Sequence, residues 1–263
     1  MKRANTLWTR NFSIITIGTV ISAIGGVAMN FAMGLVVFDN TDSAWLTGFF
    51  RAISMLPSIV VPLLFAPYVD SHRRRPLIWG LDAMLGIAYL VFAAYLAGAG
   101  FSYGLYMGFG LLTSTIGSMY STTYQAFYPD LIPEGFMHKG FSISSLIYPT
   151  VTVLVTPVAA IIYTNLGIQY VFLIEGVLLL IAAAFEACIR IEEQHAEEKK
   201  KFSFHAYWES LCEGFRYLKK EKGVRSIYSN MAVINAAGNA THFMAMTFFQ
   251  SSPVLTTAMY SFM

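Results

Sequence analysis

Apolar runs of about twenty residues recur along this chain, separated by short joints that are polar or carry glycine. Roughly 20 apolar residues cross the ~30 Å hydrocarbon layer of a bilayer as a helix. The pattern predicts six complete spans at residues 11–38, 45–69, 76–97, 103–127, 141–164 and 167–189, and a seventh at 226–249. The joints include DNTDSA at 39–44 and GAGFS at 98–102. The first run is far longer than the apolar core of a signal peptide, and more spans follow it. The expected fold class is therefore an all-α membrane protein.

Composition agrees: 56% of the 263 residues are hydrophobic and 12% charged, with a mean hydropathy of +0.56. Charge adds an orientation. With the N-terminus in the cytosol, 16 of the 17 Lys and Arg fall on the cytosolic side or at its edge, and Arg51 alone lies inside a span. That asymmetry predicts an N-in, multi-pass protein of the plasma membrane. The basic residues are then accounted for by orientation, and no nucleic-acid partner is needed. Cys188 and Cys212 fall at or beyond the cytosolic end of the sixth span, which argues against a structural disulfide. Neither has metal-ligand spacing, and no cofactor or metal is expected.

Three regions follow: a six-span domain over 1–190, a charged cytosolic linker over 191–225, and a further span with its continuation over 226–263. Within the linker, Phe204, Tyr207, Trp208, Leu211, Phe215 and Leu218 recur at three- and four-residue steps. This pattern predicts an amphipathic helix on the inner membrane face.

The joint between the second and third spans, APYVDSHRRRPL, holds Asp70, Arg74 and Arg75 at a distinctive spacing after the small Ala66. At this position the spacing resembles the major facilitator superfamily, whose turn there has a glycine, an aspartate four residues on and basic residues four and five after it. Asp82 early in the third span, YSTTYQAFYPDLIPEG at 120–135 and EGFRYLKKEKGVR at 213–225 resemble a branch of drug and siderophore exporters, among them the macrolide-efflux proteins and the enterobactin exporter. Thr156, Pro157 and Ala160 resemble the fifth-helix motif of antiporters in that superfamily. The resemblance implies two six-helix halves around a midplane site that opens alternately to either side. It also implies that the Asp70, Arg74 and Arg75 turn latches one half to the other.

Ionisable groups in a span cost roughly 2.5–3.5 kcal/mol each on insertion scales, so each needs a partner, a wet cavity or a place near the surface. Glu186 is four residues before Arg190, a spacing that predicts an ion pair along one helix. Asp82 lies about 9 Å into its span and is expected to anchor against the basic turn. Arg51 and Glu175 fall at similar depth, about 9–11 Å below the outer surface. At least one of them is expected to face a hydrated path, with Glu175 the candidate proton carrier. Asn30, Gln125, Asn239 and His242 are candidate polar residues of a central cavity.

The expected function is secondary efflux of small amphiphilic compounds, coupled to protons. The expected partners are the bilayer, such a compound, protons and the missing C-terminal half or another chain. The seventh span lacks the bundle the resemblance implies, so the sequence reads as the front of a twelve-span carrier. The alternative is a truncated, inactive or partner-dependent membrane protein. Neither HExxH nor GxxxxGK[ST] occurs, which disfavours a metalloprotease-like enzyme or a nucleotide-driven pump.

Overall fold

The computed structural model describes residues 6–98, 100–191, 207–208, 212, 216–217 and 219–251. Its helices are α1 (Arg10–Thr41), α2 (Ala44–Ser71), α3 (Arg74–Leu96), α4 (Tyr103–Phe127), α5 (Met137–Leu166), α6 (Ile168–Ala187) and α7 (Lys222–Ser251), with a short 3-10 turn at Tyr128–Leu131 after α4. Among the described residues there is no strand. The chain divides into two compact units, one holding α1 to α6 and the other α7. Most of the predicted amphipathic helix lies outside the described residues.

Local signals set the helix ends. The Thr9 hydroxyl accepts from the Phe12 amide and opens α1, and the Ser43 hydroxyl accepts from the Leu46 amide and opens α2. Gly167, at φ +89, joins α5 to α6 in a conformation that costs glycine least.

Within the six-helix unit α6 packs on α1 and α3, α5 packs on α1, and α4 packs on α2 and α3. Small residues set the closest approaches. A Cβ on Gly86 of α3 would stand 2.9 Å from the Gly176 carbonyl oxygen of α6, and one on Gly110 of α4 would stand 3.0 Å from the Phe50 ring of α2. Around these contacts Tyr89, Phe92, Tyr106, Phe109 and Phe172 form an aromatic core, with the Phe92 and Phe109 rings stacked at 4.0 Å.

Among the described residues five helices, α1, α2, α3, α5 and α6, are long and apolar enough to cross a membrane. The sequence pattern predicts spans at α4 and α7 as well. The 25 residues of α4 are enough in length, but they include Thr113, Ser114, Thr115, Ser118, Ser121, Thr122, Thr123 and Gln125, which lower its hydropathy. In α7, Lys222, Arg225 and several asparagines do the same. The polar composition of α4 has a structural use, because several of these residues line the cavity described next.

Candidate functional site

A cavity of about 770 Å³ lies within the six-helix unit, lined by residues of α1 to α6. Its size falls in the range of small-molecule sites. Asn30, Arg51, Asp82, Gln125 and Glu175, five residues singled out from the sequence, all line it. Arg51 donates from Nη2 to the Asn30 carbonyl at 2.9 Å, so α2 is tied to α1 across the wall. Asn30 and Gln125 turn their amides to neighbours on their own helices, the Gly26 carbonyl and the Ser121 hydroxyl.

Sequence reasoning missed most of the wall. Ser114, Ser118, Ser121 and Gln125 line the cavity from α4 at three- and four-residue steps, a polar stripe that helical periodicity could have found. Tyr120 and Tyr124 line it too, with rings stacked at 6.1 Å, and Tyr128 continues the series. Ser114 also donates to the Ser54 carbonyl and holds α4 against α2.

Two of the intramembrane acids, Asp82 and Glu186, have partners other than those the sequence predicts. Asp82 is 2% exposed and accepts from the Ser22 hydroxyl of α1 at 3.0 Å, so its partner in the bundle is α1 and not the basic turn. Glu186 does not pair with Arg190. Helix α6 ends at Ala187, so Arg190 leaves the helical register that an i, i+4 pair requires, and its backbone is held by Asn11. Glu186 instead accepts from the Tyr120 hydroxyl at 2.6 Å. Glu175 is 3% exposed and packs its carboxyl against Gly25 of α1, where a Cβ would overlap it.

Removing the Tyr120 hydroxyl takes from the buried Glu186 carboxyl the one hydrogen-bond donor it has among the described residues. Tyr120→Phe is expected to destabilise the fold by about 1–3 kcal/mol, read as earlier thermal unfolding in detergent.

The basic turn is pinned on two sides. Arg74 Nη1 donates to Asp130 at 2.8 Å and to the Ala126 carbonyl at 2.9 Å, while Nη2 lies 3.6 Å from Asp70. Arg75 donates to the Ala187 carbonyl at the end of α6, at 2.6 Å. Together they bind the start of α3 to the ends of α4 and α6. The 3-10 turn after α4 presents Asp130, which the sequence shows only as the D of YPDL.

In α5, Thr156 bonds to the Thr152 carbonyl of its own helix, Pro157 is half-buried, and Ala159 and Ala160 are buried. In α7, Asn239 is exposed and donates to the Asn235 carbonyl, while the His242 side chain lies outside what the structure describes.

The Major Facilitator Superfamily model matches residues 15–263. Neither a curated protein nor a solved structure matches the chain. The chain belongs to the Major Facilitator Superfamily, a family of multi-pass secondary transporters and not of enzymes.

Proposed function

We propose that this chain forms part of a carrier that exports small amphiphilic compounds, of the macrolide, drug or siderophore type, by alternating access driven by protons. The observation that carries the reading is the cavity itself, which sets the guanidinium of Arg51 and the carboxyls of Asp82 and Glu175 among tyrosines, hydroxyls and apolar side chains. Such a wall accepts a compound with both greasy and polar parts. The sequence resemblance to exporters supplies the direction of transport. Glu175, buried at the wall and with Oε2 unbonded, is the group proposed to take up and release the proton.

Alternating access requires a second helical bundle, from this polypeptide or another. Its place is on α2 and α5, of whose apolar stretches only 11% and 22% are buried, against 61% for α1. The Thr156 to Ala160 segment would flex there, and the Asp70, Arg74 and Arg75 turn would latch there. Asn239 and His242 of α7 are proposed as further polar residues that meet the compound.

The test is export from cells making the protein as it occurs. Expression should lower accumulation of a labelled macrolide, and a protonophore should abolish the effect. Undiminished accumulation for macrolides, cationic dyes and siderophores alike would remove the exporter reading. With transport in hand, Glu175→Gln is expected to flatten its pH dependence; a retained pH profile would take the coupling role from Glu175.

Orientation has a separate check. Cys188 and Cys212 are both exposed thiols. A membrane-impermeant maleimide should label them in inside-out vesicles and spare them in intact cells in the proposed plasma-membrane, N-in orientation. The opposite pattern would reverse the topology.

A further inference from the structure

Three buried carboxyls meet a single face of α1. The Glu186 Cγ lies 3.3 Å from where a Cβ of Gly18 would stand, Asp82 bonds to Ser22, and the Glu175 carboxyl fills the space beside Gly25. The α1 positions step by four and then three residues, so the acids stack on one face over about 10 Å. Two come from α6 and one from α3. Small residues at all three α1 positions make room for them.

We propose that Glu175, Asp82 and Glu186 form a proton ladder along α1, leading from the cavity wall to the end of the bundle where α6 stops. This deepens the proton-coupled reading of the cavity and rests on it for its physiological use. Glu175 and Asp82 line the cavity, whereas Glu186 does not; it is reached through Tyr120, which does. A proton arriving from the cavity is taken by the Glu175 carboxylate. Its transfer to Asp82 leaves Glu175 ionised again, and transfer onward to Glu186 leaves Asp82 ionised. Glu186 then gives the proton to water admitted at the α6 end and is ionised again. The Ser22 and Tyr120 hydroxyls, bonded to Asp82 and Glu186, stand beside the second and third rungs.

Two observations separate a ladder from acids kept for packing. Each glutamate, at 3% and 1% exposure, has an Oε2 with no hydrogen-bond partner among the described residues, although buried polar atoms of structural groups are normally satisfied. Asp82, bonded to Ser22, also stands between the glutamates seated at Gly18 and Gly25, so its charge bears on both of them. The other titratable groups facing the ladder are Tyr89 and Tyr148 near Glu175 and Tyr120 and Tyr124 near Glu186, while Arg51 shares the cavity.

Infrared pH-difference spectra of the full chain in lipid vesicles read carboxyl protonation directly, whether or not any compound is exported. The Glu175 and Glu186 bands would be assigned with Glu175→Gln and Glu186→Gln. A ladder requires Asp82→Asn to move both glutamate titrations by about one pH unit, tenfold in proton affinity. Ser22→Ala, which keeps every acid and removes only the donor to Asp82, should move the Asp82 band and both glutamate bands with it. It decides the matter if Asp82→Asn does not fold. Glutamate bands that stay in place would make the acids independent and overturn the ladder. Bands that move when sodium replaces choline at constant pH would also overturn it, in favour of a cation site. Loss of pH dependence in export with unmoved bands would count against the ladder alone, and moved bands without export would count against the exporter reading alone.

Discussion

Gly176→Ala is expected to leave little folded protein, although it adds a single methyl group. At Gly176 that methyl would stand 2.7 Å from Leu90 Cγ and 2.9 Å from the Gly86 carbonyl oxygen. Leu90 could change rotamer, but the carbonyl belongs to the backbone of α3, so the two helices would have to separate. Overpacking a core costs about 1–3 kcal/mol and occasionally more. Separation here would also loosen the aromatic core, because Tyr89 and Phe92 of α3 pack on Phe172 of α6. Gly86→Ala meets the reciprocal contact with the Gly176 carbonyl and is expected to behave alike. Gly108→Ala is the control, since nothing lies within 4 Å of a Cβ there, and it should be neutral or gain up to about 1 kcal/mol from helix propensity. Size-exclusion profiles and unfolding temperatures of the three variants in detergent would test the ranking. Wild-type behaviour of Gly176→Ala would mean that α3 and α6 do not approach through these glycines.

The sequence carried the helices well and their mutual facing poorly. Span 103–127 coincides with α4, and 11–38 falls short of α1 by one residue at the start and three at the end. The end was missed because Asp39, Asn40 and Thr41 are polar but still helical, with Asn40 and Thr41 bonding back to Val36 and Val37. Depth along a helix was legible from the 1.5 Å rise, and it placed Asp82 well inside the third span. Direction was not: whether Asp82 turns to the arginines or to Ser22 depends on how α3 is rotated against α1, which no local spacing records. Glu186 and Arg190 show the same limit, because the spacing rule holds only while the helix continues. Asp130 was out of reach for another reason. It meets Arg74 across 56 residues of sequence. The Gly18, Ser22, Gly25 stripe was visible as small residues on one face, but small residues alone do not tell what fills the room they leave.

At the turn between α2 and α3, stability and transport are expected to come apart. Arg74→Ala removes the guanidinium that binds both Asp130 and the Ala126 carbonyl, with its side chain only 15% exposed. Hydrogen bonds to charged groups contribute about 1.5–3 kcal/mol, so the variant should unfold clearly earlier in a detergent melt. Arg74→Lys keeps the charge but not the planar fork, and should recover only part of the loss. Asp70 stands differently. Its side chain is 70% exposed and 3.6 Å from Arg74, a geometry that contributes little to the fold. Asp70→Asn should therefore melt with the wild type. If the turn latches a second bundle, however, Asp70→Asn should lose most of the export that Arg74→Ala also loses, at unchanged abundance in the membrane. Full export by Asp70→Asn would reduce the turn to a structural clamp between α3 and the ends of α4 and α6. Equal destabilisation by both variants would mean that Asp70 holds the fold as Arg74 does, and the latch would lose its support.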